Sequence, residues 1–327
     1  MRYLAGIDIG GTKCAVTLGE EPDCGAAPEE ITILDKIKFP TPGKPDRALT
    51  QLADALEFLL GKHPQAAPDA LGVSCGGPLD SVKGMVLSPP NLPGWDRVDV
   101  LAPFRERFHV PAYLQNDANA CALAEWKWGA GRGTRNMIFL TFGTGLGAGL
   151  ILNGELYAGT DDMAGEVGHV RLARSGPWGY GKRGSFEGFC SGGGIAGYGR
   201  EMVRAYAEKG MHTMLQRKAG DADGISAEDI ADAAARGDAL ALDIMEQTGR
   251  MLGRGIAMLI DILNPERIVV GSIFLRQERL LRRPMEEEIR REALKINRGS
   301  CSIVPAGLGE HLGDYAALSV AGSGGAK

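Results

Sequence analysis

The sequence predicts an α/β fold of two domains sharing a cleft, and three observations predict it. The chain has 327 residues, enough for two hydrophobic cores. It opens with a strand, a glycine turn and a returning strand, and the same pattern recurs at residues 136 to 152. After each hairpin the periodicity passes to amphipathic helix and further buried strand, as in layered α/β structures. The repeat reads as an internal duplication, each half presenting one glycine hairpin.

Tyr3 to Ile9 is an apolar strand that runs into Asp8-Ile9-Gly10-Gly11-Thr12-Lys13, and Ala15 to Leu18 returns from the glycines. Ile31 to Phe39 reads as a third strand. Asp46 to Lys62 carries Ala48, Leu49, Leu52, Ala55, Leu56, Leu59 and Leu60 at the 3.6-residue period of an amphipathic helix. Ala70 to Ser74 is a buried strand closed by the tight loop Cys75-Gly76-Gly77-Pro78. The prolines between Pro89 and Trp95 remove backbone donors, so this stretch is expected as a shaped surface loop. A short strand at Pro111 to Gln115 leads into a helix at Ala118 to Trp128.

Asn136 to Phe142 is the next strand, turned by Gly143-Thr144-Gly145-Leu146-Gly147 into Ala148 to Leu152. Asn153-Gly154 is a strong hairpin signal. A glycine-rich, irregular region runs to Glu187. Helices follow at Ser191 to Lys209 and, behind a capping-box-like Ser226-x-x-Asp229, at Ile230 to Arg236. Ala239 to Leu263 is a long helix stopped by Asn264-Pro265. Arg267 to Val270 is a strand ending in Gly271-Ser272. Leu275 to Leu294 is helical, Cys301 to Pro305 a strand, and Gly313 to Ala321 a final helix.

Apolar residues make up 44% of the chain and charged residues 24%, the balance of an ordinary soluble globular protein. The net charge of −5 and the lack of a basic run argue against nucleic acid as a partner. No apolar run approaches the about 18 residues of a membrane span, and Asp8 interrupts the first apolar run, so no signal peptide is expected. The cysteines (Cys14, Cys24, Cys75, Cys121, Cys190 and Cys301) are spread out with no C-x-x-C pair, which reads as reduced thiols in a cytoplasmic protein.

Neither glycine turn is a conventional nucleotide motif. The first lacks the G-x-x-x-x-G-K-[ST] spacing, and no helix follows it. The second matches a loose G-x-G-x-x-A, but the residues after it are strand and turn where a dinucleotide fingerprint needs a helix. Glycine-rich hairpin turns can still offer backbone N–H groups to phosphate oxygens. On this reading Gly10, Gly11, Gly143, Gly145 and Gly271 approach the phosphates of a ligand, Thr12 donates a hydroxyl, Lys13 adds charge and Thr144 meets the terminal phosphate. Asp8 is placed to hold Mg²⁺ through water, because that ion dehydrates reluctantly. The plain alternative is a tight hairpin in which Asp8 caps its own turn.

The stretch Gln115-Asn116-Asp117-Ala118 puts an acid at a strand-to-helix junction. Unpaired N–H groups and the helix dipole hold such a carboxylate ionised. On its own this is an ordinary helix cap.

The ordered set Asp8-Ile-Gly-Gly-Thr-Lys13, Asn91-Leu-Pro-Gly-Trp95, Asn116-Asp117-Ala-Asn119, Gly143-Thr-Gly-Leu-Gly-Ala-Gly149, Gly165-Glu166-Val-Gly-His169, Glu187 and Ser191-Gly192 resembles the ROK family of repressors, open reading frames and kinases, bacterial glucokinases and N-acetylhexosamine kinases included. The likeness runs from residue 3 to about residue 320. It implies the two-domain, actin-like, hexokinase-type fold, with a smaller domain of residues 1–118 plus about 308–327 and a larger one of residues 119–307. It also implies transfer of phosphate from ATP to a hexose hydroxyl, usually the 6-hydroxyl. Within that pattern Asp117 is the general base, and Asn116, Glu166, His169 and Glu187 bind sugar. Asn91 and the Gly76-Gly77 turn line the same pocket. Homodimers are common in the family.

One departure stands against the pattern. Family members commonly hold zinc with the His of the Gly-His pair and three cysteines in a Cys-Gly-Cys-Gly-x-x-Gly-Cys frame. Here the frame reads Trp178-Gly179-Tyr180-Gly181-Lys182-Arg183-Gly184-Ser185, with every cysteine replaced. His169 and the nearby Cys190 do not make a four-ligand site, so no zinc is expected. Trp178 and Tyr180 are expected to fill the space by packing, and another partner must orient His169.

A sugar-sensing repressor of the family is the competing reading. Such regulators carry a helix-turn-helix ahead of the sugar-binding part, for which a strand starting at Tyr3 leaves no room. A non-catalytic sugar-binding protein is a third reading, against which Asp117 and both glycine hairpins weigh. His63, His109, His212 and His311 show no ligand spacing, Trp126 and Trp128 read as packing, and Arg282, Arg283, Arg290 and Arg291 as a solvated helix face.

Overall fold

The structure is a computed structural model that describes residues 1–22, 31–217 and 224–324; Cys24 lies outside them. In chain order the elements are β1 (Arg2–Ile9), β2 (Lys13–Glu21), β3 (Thr32–Pro40), α1 (Pro45–Lys62), β4 (Ala70–Cys75), β5 (Leu79–Asp80), β6 (Met85–Leu87), β7 (Asp96–Asp99), α2 (Ala102–Phe108), β8 (Ala112–Asn116) and α3 (Asp117–Lys127). There follow β9 (Met137–Phe142), β10 (Leu146–Leu152), β11 (Glu155–Leu156), β12 (Trp178–Gly179), β13 (Lys182–Arg183), α4 (Phe186–Phe189), α5 (Gly192–Glu208), α6 (Ala227–Ala235), α7 (Ala239–Leu263), β14 (Arg267–Val270), α8 (Ile273–Glu292), α9 (Lys295–Ser300), β15 (Ser302–Pro305) and α10 (Leu312–Gly322). No helix among the described residues is long and apolar enough to cross a membrane.

The chain divides into two compact units, one of residues 1–139, 149–165 and 307–327, the other of residues 140–148 and 166–306. Contacts therefore carry the first unit past the boundary read at residue 118. In the first unit the strands run β3-β2-β1-β4-β8. β1 pairs antiparallel with β2, Ile9 opposite Cys14, and parallel with β4, Leu4 opposite Ala70. α1 buries Leu49, Leu52, Leu56 and Leu59, as its periodicity predicts, into a core with Ile7, Val16 and Val73. α10 crosses the same sheet. A Cβ on Gly72 would stand 2.3 Å from the Ala317 carbonyl, so glycine is what lets the helix lie this close.

Glu125, on α3, is fully buried. One of its oxygens accepts the N–H groups of Ala130 (2.7 Å) and Gly307 (3.0 Å), and the other accepts that of Leu308 (3.0 Å). Three backbone donors thus meet one buried carboxylate, an arrangement that offsets its desolvation. The loop at Pro89–Trp95 differs from its expectation in one respect. Its backbone is irregular, but Leu92 and Trp95 are buried in the core, so the loop is anchored from below.

The second five-stranded sheet has the order β11-β10-β9-β14-β15, and the division between units cuts β9 and β10 midway. In the second unit α7 spans Ala239–Leu263 as read from sequence, capped by Asp238 and ended by Asn264 in the left-handed region. The capping box of Ser226 and Asp229 forms. α8 is not the uniformly solvated face expected. Glu288 is 3% exposed and holds Arg254 at 2.8 Å and Arg291 at 2.5 Å, so this end of α8 is tied to α7.

Candidate active site

In the first unit the chain brings together most of the residues expected there. Gly10 donates its N–H to the Lys13 carbonyl (3.1 Å), closing the β1–β2 turn, and Gly11, Thr12 and Lys13 are exposed at its tip. Thr41, just past β3, clamps the turn, donating its N–H to the Thr12 carbonyl (3.0 Å) and its hydroxyl to the Gly10 carbonyl (2.6 Å). Gly11 lies against Asn91: an added Cβ would sit 2.4 Å from the Asn91 carbonyl oxygen. A Cβ on Gly76 would sit 3.4 Å from the Asn91 amide, and one on Gly77 would sit 3.1 Å from the Asn116 amide nitrogen. The hairpin, the Gly76-Gly77 loop, Asn91 and Asn116 therefore form one neighbourhood.

Asp117 opens α3, and its side chain is exposed. The capping role falls to Asn116, whose Oδ1 accepts the Ala118 N–H at 2.9 Å. Asp117 Oδ1 accepts the same N–H at 2.8 Å. Beneath them Gln115 Oε1 accepts the Asn116 N–H (2.9 Å) and the Asn119 amide (3.1 Å), a buried amide pair that fixes the first turn. The side chain of Asp8 is half-buried on β1. Burial first, then the charges of Asp117 and Asp314, push its carboxyl up to about 7, although Lys38 and Lys36 pull the other way. Two carboxylates that repel in this way suit a divalent cation, so the residues here fit Mg²⁺, which Asp8 would hold. Among the described residues no cluster of three or more His, Cys, Asp or Glu could hold a metal by itself.

The second unit assembles the other residues. Gly143 donates to the Gly145 carbonyl (3.1 Å), and the carbonyls of Gly143 and Thr144 accept the N–H groups of Gly192 (2.7 Å) and Gly193 (3.4 Å) at the start of α5. The turn therefore rests on a helix N-terminus, with Thr144 exposed at its tip. Gly271 donates to the Leu140 carbonyl (3.0 Å), which brings β14's end beside the turn. Ser272 is a residue the sequence reading missed. Its φ of 52° is an unusual conformation for a non-glycine residue, and its Oγ would stand 3.5 Å from a Cβ on Gly143. Nothing in the local sequence signals that backbone.

Glu187 sits on α4, capped by Ser185, and accepts the Leu146 N–H at 3.1 Å. Glu166 precedes, and His169 ends, a single helical turn at Val167–His169. The expectation that Trp178 and Tyr180 pack into the space of absent cysteines is corrected: the two are 56% and 44% exposed. β12 and β13 form a hairpin whose two turn residues, Tyr180 and Gly181, both have positive φ (55° and 71°), and this turn lifts Tyr180 outward. Its hydroxyl donates to Glu166 Oε2 at 2.6 Å, and its ring meets that of His169 at 4.8 Å between centroids. Trp178 lies under Arg183 instead. Ser185, at the third replaced cysteine, donates to the Gly179 carbonyl (2.7 Å), and Cys190 is buried against the Thr248 carbonyl. This donor set does not fit a structural zinc site.

The ROK family pattern matches residues 4–322. The chain belongs to the ROK family. A glucokinase of Streptomyces coelicolor is 31% identical over 323 residues, covering 98% of both chains. The structure of a ROK family glucokinase from Streptomyces griseus in complex with glucose and AMPPNP superposes with a TM-score of 0.76 at 29% identity, covering 98% of this chain and 99% of that one. A ROK family transcriptional regulator homologous to the E. coli MLC protein superposes at 0.82 with 25% identity, covering 97% of this chain and 77% of that one. The fold is thus the α/β, two-domain, actin-like type of the ROK hexokinases.

Proposed function

We propose that this ROK protein is an ATP-dependent hexose kinase acting on a glucose-like sugar at its 6-hydroxyl. The observation that carries the reading is Asp117: an exposed carboxylate at the first turn of α3, sharing the Ala118 N–H with Asn116 and close enough to Asp8 to raise that carboxyl. The similarity to glucokinases over nearly the whole chain supports it.

Phosphoryl transfer needs alignment, neutralised charge and a proton acceptor. Asp117 accepts the proton of the sugar hydroxyl as its oxygen attacks the γ-phosphorus, and the bond to the β–γ bridging oxygen breaks to release ADP. Asp8 would hold Mg²⁺, which would supply positive charge to the transferred phosphate. The turn at Gly10–Lys13 with the Thr12 hydroxyl, in the first unit, and the turn at Gly143–Gly145 with the Thr144 hydroxyl, in the second, each offer donors to phosphate oxygens. Asn91 and Asn116 in the first unit, and Glu166, His169 and Glu187 in the second, are donors and acceptors of the kind a polyhydroxylated ring requires.

A non-catalytic sugar sensor is the second reading, favoured by the superposition on the ROK transcriptional regulator. ATP consumption with glucose, mannose, fructose, xylose, N-acetylglucosamine and N-acetylmannosamine separates the two. Sugar-dependent ADP release is expected, largest with glucose. Binding of a sugar without ADP release in the presence of Mg²⁺ leaves the sensor.

A further inference from the structure

The turn at Tyr180-Gly181 places an aromatic residue where the backbone disfavours one. A two-residue turn with positive φ at both positions prefers Asn-Gly, and a bulky side chain at φ 55° is an outlier. The chain makes the same turn with the preferred pair at Asn153-Gly154, where φ is 57° and 83°. Strained positions of this kind persist where a side chain is needed. Tyr180 has two uses within reach, the Glu166 carboxylate and the His169 ring.

We propose that Tyr180 is a positioning residue for sugar recognition: its hydroxyl fixes the Glu166 carboxylate, and its ring fixes the His169 imidazole. The inference rests on the reading of Glu166 and His169 as sugar-binding groups. One Glu166 oxygen is committed to the phenol, so the rotation of the carboxylate is set and the other oxygen points in a defined direction. The His169 ring is held from its side by a tilted aromatic contact. Burial and the Glu166 charge push the Tyr180 phenol up, so it stays a donor through neutral pH. The hairpin beneath is closed by ordinary hydrogen bonds, from Leu172 N–H to the Gly184 carbonyl (2.8 Å) and from Ser185 to Gly179 (2.7 Å). Preorganised donors and acceptors bind a hydroxylated ligand without ordering cost, and selectivity among sugars follows from their fixed directions.

Tyr180→Phe and Tyr180→Asn test this with the full chain. Sugar affinity is read by calorimetric titration of glucose, mannose, xylose and N-acetylglucosamine without nucleotide. ATP KM and Tm are read in parallel. Tyr180→Phe is expected to weaken the best-bound sugar about tenfold, the loss typical of one hydrogen bond to a charged group, with ATP KM within about twofold. Tyr180→Asn puts the preferred residue in the turn, so its Tm holds or rises while sugar affinity falls at least as far. Stability and affinity moving in opposite directions is the signature of positioning. Sugar affinity within twofold of wild type in both variants overturns the proposal and leaves the kinase reading intact. A parallel fall of Tm, ATP and sugar affinity in both reduces Tyr180 to a structural role and also overturns it. A wild type that binds sugar but releases no ADP defeats the kinase reading alone, and one that binds no sugar defeats both.

Discussion

The two glycine hairpins look alike in sequence and are surrounded by opposite electrostatics. The turn at Gly10–Lys13 is enclosed by oxygens: Asp8 and Asp117 near it, the Asn91 carbonyl behind Gly11 and the Thr41 hydroxyl on Gly10. The turn at Gly143–Gly145 rests on the N–H groups that open α5, the positive end of a 17-residue helix. The first has carboxylates beside it, the second the positive end of a helix. Glycine alone does not say what a turn binds; the groups behind it do.

The largest effect that tests this contrast is expected at the acidic turn. Asp117→Asn should lower kcat by ~10²–10⁴-fold, the usual cost of losing a positioned base, and leave sugar affinity in place. Near-normal kcat in steady-state assays removes Asp117 as the base. Next in size is a pH effect. The folded Asp8 carboxyl, at about 7, holds its proton more tightly than the unfolded one at 3.8, so stability falls as pH rises from about 4 to about 7. At about 1.4 kcal/mol per pKa unit, Asp8→Asn should raise stability by ~2–4 kcal/mol at pH 8 without Mg²⁺ or nucleotide, and by nothing near pH 3. Denaturant titrations at the two pH values check it, and a pH-independent difference refutes the crowding of charge.

Smaller effects separate the backs of the two turns. Gly11→Ala drives a Cβ to 2.4 Å from the Asn91 backbone carbonyl, which cannot step aside, and should cost ~1–3 kcal/mol by thermal melts. Gly145→Ala meets the flexible Glu187 carboxylate at 3.0 Å. It should cost under ~1 kcal/mol in the same melts while raising the sugar KM as Glu187 is displaced. Gly143→Ala finds its nearest neighbour, the Ser272 hydroxyl, at an ordinary 3.5 Å and should stay within ~0.5 kcal/mol of wild type. Equal losses at Gly11 and Gly143 would erase the difference between the hairpins.

Local signals carried the reading where they were complete. α7 has an unbroken apolar period and a hard stop at Asn264-Pro265, and its bounds agree with the sequence. Asn153-Gly154 declared its turn because the residue types match the backbone. Tyr180-Gly181 makes the same turn with a residue that hides it, and so the region read as irregular. α2 and α9, of seven and six residues, are too short for a period to show. Leu92 and Trp95 are buried because a distant core receives them, not because of anything in their own loop. The site was legible as an ordered set of motifs. Its supports were not: Gln115 beneath Asn116, Ser272 beside Gly143 and Glu125 under Gly307 act through tertiary contacts that no spacing encodes.

The course of α10 has a consequence for biosynthesis. This helix supplies Leu318 and Ala321 to a cluster that also holds Leu4, Ile31 and Trp128, and Ser319 ties it to the Ala120 carbonyl of α3. The first unit thus begins the chain and cannot be sealed until residues translated after the whole of 166–306 leave the ribosome. Synthesis normally favours the N-terminal domain as the first to fold. Here the second unit, almost all of it one unbroken stretch, is translated before the helix that covers Gly6 and Gly72 on the opening sheet.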